Sequence, residues 1–341
     1  MIVIRFLLFP FAILYDLVTS IRNYFYDKGI FKSTSFDIPV IAVGNLSVGG
    51  TGKTPQIEYL IRLLQNDKKV AVLSRGYKRK TAGFVLLDTS HTAEDVGDEP
   101  LQFFKKFSNI FVAVDANRVN GIQELKKRVH PDIILLDDGY QHRKVKASLY
   151  VLLTKYNDLY TDDFILPTGN LRESRRGAKR ANVIVVTKCP ANLSEDKQQE
   201  ITRKLKASSH QHVFFSSIEY HPKTGGKQQI SLDALNEYEI VLVTGIANPT
   251  SLLDLLKEKG CKIHHLNFSD HHNFTPQELV KIQKKFDELN SGKKLLLTTE
   301  KDYMRLSDKI ADLSYIEIET QFLGDKKVFD NKFTSICKTR S

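Results

Sequence analysis

The run Gly44-Asn45-Leu46-Ser47-Val48-Gly49-Gly50-Thr51-Gly52-Lys53-Thr54-Pro55 carries the residue types needed to hold a polyphosphate. Its glycines let successive backbone N–H groups turn inward on phosphate oxygens. Lys53 can reach the β and γ oxygens, and the Thr54 hydroxyl suits Mg2+. The strict GxxxxGK[ST] pattern fails at its first position, where Ser47 stands in place of glycine, but GGTGKT survives between a strand signal and a helix signal. Ser47, Val48, Gly49, Gly50, Thr51, Gly52, Lys53 and Thr54 are therefore the candidate nucleotide cradle. Such a loop needs an acidic strand end beside it, and Ile133-Ile134-Leu135-Leu136-Asp137-Asp138-Gly139 supplies one. Thr54, Asp137 and Asp138 are the candidate metal ligands, with the choice between the two aspartates open, and Lys53 and Asp138 are also candidates for the catalytic step. Guanine recognition calls for an NKxD-like element, and the nearest stretch, Val186-Thr187-Lys188-Cys189-Pro190, has no aspartate. The expected nucleotide is ATP, with Mg2+.

These groups need a scaffold, and the chain alternates strand and helix signals from Ile38 onward. Short β-branched runs lie at Pro39–Val43, Lys69–Leu73, Ile110–Val114, Ile133–Leu136, Leu149–Leu153, Val183–Thr187, Val213–Ile218, Ile240–Val243 and Leu295–Thr298. Between them, Ile57, Leu60, Ile61 and Leu64 form an i, i+3, i+4, i+7 stripe behind Pro55. Further helices are predicted at Pro100–Phe107, Ala116–Val129, Glu195–Ala207, Thr250–Lys259 and Thr275–Leu289. This pattern predicts an α/β fold of the P-loop NTPase kind, a mostly parallel sheet flanked by helices, with a smaller second α/β lobe. A Pro- and Gly-bearing polar stretch at 219–237 sets the division near Pro222, giving 31–222 as the nucleotide lobe and 223–341 as the second.

With 341 residues, 41% apolar and 26% charged, the chain has ample material for a core, which excludes wholesale disorder. Cys189, Cys261 and Cys337 lie far apart with no CxxC spacing, arguing against a disulfide framework or a zinc site. Fifty basic against 40 acidic residues leave a charge of +10, which favours anionic partners without choosing among them. Residues 1–30 are far more apolar than the rest, yet their longest uncharged run, Phe6 to Tyr15, is too short for the roughly 20 residues of a spanning helix. Arg5 and Asp16 interrupt the segment, Pro10 is expected to kink it, and Arg22, Lys28 and Lys32 follow. The reading preferred over a signal peptide or a self-buried helix is a helix lying in a membrane interface.

Beyond the phosphate loop, several segments resemble the tetraacyldisaccharide 4'-kinase family of the lipid A pathway. They are the apolar N-terminus, Gly44–Pro55, Leu73–Tyr77 (LSRGY), Val96–Pro100 (VGDEP), Leu135–His142 (LLDDGYQH), Leu166–Glu173 (LPTGNLRE), Thr244–Pro249 (TGIANP), Asp270–Phe274 (DHHNF) and Thr299–Asp302 (TEKD), in the family's order. The resemblance implies ATP- and Mg2+-dependent phosphorylation of the 4'-hydroxyl of an acylated glucosamine disaccharide 1-phosphate. It also implies a peripheral position on the cytoplasmic face of the bacterial inner membrane, with no nucleic-acid partner. Lys78, where the family often has Gly, and Asn170, where Pro is common, are modest departures. Arg75, Asn170 and Arg172 lie inside matching segments and are the expected substrate-binding residues, Arg172 as a planar fork for phosphate.

The resemblance further implies that Asp98 of the GDEP segment pairs with a histidine of the DHH segment, assigned to His271 with His272 as the competing neighbour. A carboxylate orients an imidazole and raises its basicity, and the imidazole relays the proton of a sugar hydroxyl. The two residues would meet only where the lobes face one another. A partitioning-type P-loop switch is disfavoured because Val48 occupies the place of its signature lysine. A basic nucleic-acid-binding protein is disfavoured because no aromatic–basic recognition motif accompanies the charge.

Overall fold

The computed structural model describes residues 7–336. Arg5 and Cys337 lie outside that range.

A nine-stranded sheet forms the first lobe, from β1 (Val40–Asn45), β2 (Val70–Ser74), β3 (Val85–Leu86), β4 (Ile110–Val114), β5 (Ile133–Asp137), β6 (Leu149–Lys155), β7 (Val183–Thr187), β8 (His212–Tyr220) and β14 (Ile318–Leu323). Their order is β14-β8-β7-β6-β1-β5-β2-β4-β3, parallel except for the two edge strands β14 and β3. Strands buried on both faces read as unbroken apolar runs, as β1 and β5 do. The Lys53–Leu64 helix turns Ile57, Leu60, Ile61 and Leu64 into the core against β1. Each such burial contributes about 1.5–3 kcal/mol, which fixes the helix N-terminus behind the phosphate loop.

The second lobe is a five-stranded sheet ordered β11-β10-β12-β13-β9, from β9 (Gly225–Gly226), β10 (Glu239–Thr244), β11 (Lys262–Asn267), β12 (Lys294–Thr299) and β13 (Leu313–Ile316). The division near Pro222 coincides with the first crossing between sheets, but the chain does not stay in the second lobe. β14 pairs with β8, Ile318 opposite Tyr220, and Phe322, Phe329 and Phe333 join the core beside Tyr59. Residues 318–336 thus belong to the first lobe, which corrects the expected 223–341 unit. The physical reason is that β8 would otherwise expose an unpaired edge.

The Phe9–Asp27 helix carries Pro10 in its first turn and is not kinked by it, because a first-turn N–H has no intrahelical acceptor to lose. Ala12 is buried, Tyr15 Oη donates to the Arg172 carbonyl at 3.0 Å, and Asn23 donates to Glu173 at 2.7 Å. Phe11, Leu14, Leu17, Val18 and Ile21 are exposed. The helix therefore docks by its small and polar face and presents its apolar face outward. No helix among the described residues is long and apolar enough to cross a membrane. Cys189 is buried, and burial pushes its thiol up to about 11, leaving it unreactive.

Candidate active site

Sheet register brings the first half of the site together. Val43 on β1 lies opposite Asp137 on β5, so the phosphate loop and the acidic pair leave the sheet at the same, C-terminal end. Gly52 caps the helix at φ +84, a backbone conformation that L side chains rarely adopt. A Cβ at Gly49 or Gly50 would meet no heavy atom within 4 Å, so the loop has an open side. Thr51 Oγ1 is buried without a partner, while its carbonyl accepts from Thr187 Oγ1 at 2.8 Å. Open space, an orphaned hydroxyl and a helix N-terminus carrying a lysine fit a triphosphate.

Asp137 and Asp138 have different surroundings. Asp137 is buried, and its Oδ2 accepts from Ser74 Oγ at 2.9 Å. Burial, then the charges of Asp138 and Glu99, push its carboxyl up to about 6. Asp138, at φ +49, lies 3.5 Å from Lys53 Nζ and accepts a bidentate fork from Arg172, both bonds 2.9 Å. Burial would raise its carboxyl, but the Arg172 hydrogen bonds and the charges of Lys53 and Arg172 outweigh it and hold the group well below the usual carboxylate range. Thr54 stands in the first turn of the same helix as Lys53, so the expected metal set of Thr54, Asp137 and Asp138 shares one sheet end. One hydroxyl and two carboxylates are hard oxygen donors of the kind that bind Mg2+.

The fork that the sequence assigns to a substrate phosphate is occupied here. Arg172 also bonds the Asn45 carbonyl at 3.1 Å and the Asn45 side chain. Its backbone N–H donates to Leu46, and the Asn170 carbonyl accepts from Val48 N–H at 2.8 Å, so the 170–172 segment runs alongside the phosphate loop. Both residues stand at the nucleotide end. Arg75 is exposed just past β2, within electrostatic reach of Arg118 and His142. Burial, with the positive charges of Arg118, Arg75 and Arg172, pushes the His142 imidazole down to about 4. Among the basic residues just after Tyr77, Arg79 bonds the Gly83 carbonyl and Lys80 bonds Glu94.

The second half of the site spans the two lobes. Asp98 opens the Asp98–Lys106 helix of the first lobe. Its Oδ2 is 2.8 Å from Nδ1 of His271, 173 positions away on the loop after β11. Lys301 Nζ lies 2.9 Å from the other ring nitrogen, Nε2. A lysine can only donate, so Nε2 is the acceptor and Nδ1 carries the proton directed at Asp98. His271 has φ +55, with its N–H on the Gly245 carbonyl at 3.1 Å and the Tyr77 ring against its own, centroids 5.2 Å apart. His272 faces away, with Nε2 2.9 Å from Glu278 and its ring packed by Phe268 and Phe274.

Glu99 links the halves. It is 3.2 Å from Lys301, and its charge contributes to the raised Asp137 carboxyl. Lys301, Arg305, Glu99 and Arg118 escaped the sequence reading as site residues. Lys301 and Glu99 lie inside matching segments, a signal that could have marked them, whereas Arg305 is one helical turn past the TEKD segment. The arrangement can hold a polyphosphate at Lys53 and present an oriented imidazole across the cleft.

Residues 4–338 match the family model described as Tetraacyldisaccharide-1-P 4'-kinase. The chain is similar to the tetraacyldisaccharide 4'-kinase of Flavobacterium johnsoniae, 57% identical over 96% of this chain and 95% of that one. It is similar to that of Bacteroides thetaiotaomicron, 44% identical over 88% and 82%. The fold is similar to that of LpxK from Aquifex aeolicus, solved in complex with ATP, with a TM-score of 0.78 and 29% identity, covering 98% of this chain and 99% of that one.

Proposed function

The chain belongs to the tetraacyldisaccharide-1-P 4'-kinase family, and from that premise we propose which of its residues perform the transfer and where it meets its lipid. The enzyme transfers the γ-phosphate of ATP to the 4'-hydroxyl of a tetraacyldisaccharide 1-phosphate in lipid A biosynthesis. Ser47 to Thr54 hold the triphosphate, Lys53 facing its β and γ oxygens. Thr54, Asp137 and Asp138 are the residues that would hold Mg2+, which when bound neutralises charge on the phosphate oxygens. Arg172 keeps Asp138 ionised and aimed at Lys53.

The acceptor hydroxyl is activated by Asp98 and His271. Asp98 holds the Nδ1–H, and Nε2 takes the proton of the hydroxyl as its oxygen attacks the γ-phosphorus, the bond from that phosphorus to the β–γ bridging oxygen breaks and ADP leaves. Lys301 occupies that nitrogen in this structure and yields it when the sugar arrives, with Glu99 at 3.2 Å and Asp270 at 3.8 Å to receive its ammonium. The observation that carries this reading is the 2.8 Å contact between Asp98 and His271, which forms only where the lobes meet. Site assembly at an interlobe cleft lets closure exclude water and suppress idle hydrolysis of ATP.

The chain lies on the cytoplasmic face of the inner membrane as a peripheral protein. A lipid with four acyl chains stays in the bilayer, so the kinase must come to the surface. The outward apolar face of the Phe9–Asp27 helix supports this, as do exposed Arg175, Arg176 and Lys179 nearby, Arg175 packing on Phe164 and Phe164 on Phe9. Flotation with vesicles containing anionic lipid tests it. The whole chain is expected to float, and Leu14→Glu with Val18→Glu to sediment while still folding. A wild-type chain that stays at the bottom of the gradient contradicts this placement.

A further inference from the structure

The two oxygens of Asp98 have different partners. Oδ2 faces His271, and Oδ1 lies 3.1 Å from Nε of Arg305. Arg305 comes from the Glu300–Leu306 helix of the second lobe, and its side chain is only 6% exposed. Its Nη1 donates to the backbone carbonyl of His272 at 2.9 Å, and its Nη2 is 3.3 Å from Asp302 Oδ1. Asp302 is itself fixed, accepting from Gly245 N–H at 2.9 Å and from the Thr299 hydroxyl at 2.8 Å. One guanidinium therefore touches both the carboxylate that orients His271 and the backbone of the loop that carries it. That loop needs support, because His271 stands at φ +55, a conformation a residue with a Cβ keeps only when its surroundings over-determine it.

We propose that Arg305 is a positioning residue for phosphoryl transfer. Its charge sets which Asp98 oxygen faces the imidazole, and its bond to the His272 carbonyl holds the 270–273 loop at the distance where Nε2 can meet a hydroxyl. The inference rests on the reading of Asp98 and His271 as the acid–base pair. Arg305 acts through Asp98 and not by touching ATP or lipid. Nε and Nη2 are buried without aligned acceptors, so the guanidinium holds its two carboxylates by charge and has hydrogen bonds still to form as the cleft tightens. A displacement of about 1 Å in such a group costs about 10²-fold in turnover.

The test is steady-state transfer of label from [γ-32P]ATP to tetraacyldisaccharide 1-phosphate in detergent micelles, by four variants. Arg305→Met is expected to lower kcat by about 30- to 100-fold while KM for ATP stays within about twofold. Arg305→Lys, which keeps the charge but cannot reach Asp98 and the His272 carbonyl together, is expected to recover to within about fivefold of wild type. In the Asp98→Asn background, adding Arg305→Met should change kcat by less than about twofold, because the group it positions is already disabled. The inference is overturned if Arg305→Met keeps kcat within twofold of wild type, or if it costs as much in the Asp98→Asn background as in the wild type. If Arg305→Met lacks a cooperative unfolding transition, Arg305→Lys in the two backgrounds reads the same coupling. Full turnover in Asp98→Asn alone overturns the acid–base reading itself, whereas a slow Asp98→Asn beside a fast Arg305→Met sinks only the role of Arg305.

Discussion

Replacing each of the two adjacent histidines by alanine separates catalysis from packing. His271 gives its Nδ1 to Asp98 at 2.8 Å in surroundings that leave the two side chains 17% and 9% exposed. A positioned acid–base group is worth about 10²–10⁴-fold in rate, or about 3–5.5 kcal/mol of transition-state stabilisation. His271→Ala should therefore lower kcat by that factor and leave KM for ATP nearly unchanged. His272 instead packs its ring at 4.9 Å from Phe268 and 5.1 Å from Phe274. At about 0.5–1.5 kcal/mol for each aromatic pair, its loss costs about 1–3 kcal/mol of stability. Its partner Glu278 keeps the Thr275 backbone and hydroxyl bonds of the helix cap, so the helix start survives. His272→Ala should lower the melting temperature by a few degrees with kcat within about twofold of wild type. Labelled-lipid formation and thermal unfolding, run on both variants, read the two effects separately. A slow His272→Ala beside a His271→Ala within tenfold of wild type would reverse the two roles.

Arg172→Met leaves Asp138 with Lys53 alone, and losing a charge-assisted fork at a partly exposed pair costs about 1–2 kcal/mol, so KM for ATP should rise about 5- to 30-fold in the transfer assay. Glu300 shares buried Lys106 with Glu58 and Glu317. Burial, then the Glu58 charge, push the Glu300 carboxyl up to about 8 from an ordinary 4.5. The folded chain thus keeps a proton there that the unfolded chain releases, and this contribution to stability is full below about 4.5 and lost as pH rises through 8. Chemical denaturation should show wild-type stability falling relative to Glu300→Gln between pH 5 and 8, by up to about 1.4 kcal/mol per unit, and an unchanged difference would contradict it. Phe329→Ala empties a fully buried site beside Tyr59 and Phe322 and should cost about 3–5 kcal/mol in denaturant unfolding, as expected if the C-terminal return belongs to the first lobe's core.

The phosphate loop and the Asp137–Asp138 pair are legible in sequence because each is a contiguous segment whose chemistry is set by a local strand-to-helix or strand-to-turn geometry. Asp98 and His271 are not legible that way, since nothing within 173 positions of chain announces that they meet, and only the resemblance pointed to them. The fork of Arg172 on Asp138 depends on the 170–172 segment lying along the phosphate loop, a tertiary pairing that the local LPTGNLRE segment does not encode. β11 was missed because its KIHHLN sequence is half-buried and polar, and β14 because IETQFL alternates on an edge. The N-terminal helix illustrates a different limit. Its apolar residues are plain in the sequence, but hydropathy does not say whether that face turns to the core or away from it, and here Ala12, Tyr15 and Asn23 settle the matter by docking the other side.

Phosphoryl transfer here requires Asp98 and His271 to work as one unit across the cleft. Rates of single-turnover transfer by Asp98→Asn, His271→Gln and the double variant test this, with each protein saturated in ATP. The double variant is predicted to be no more than about threefold slower than the slower single one, since removing either partner already disables the pair. Losses that multiply in full would show that the two residues act independently and would contradict the mechanism.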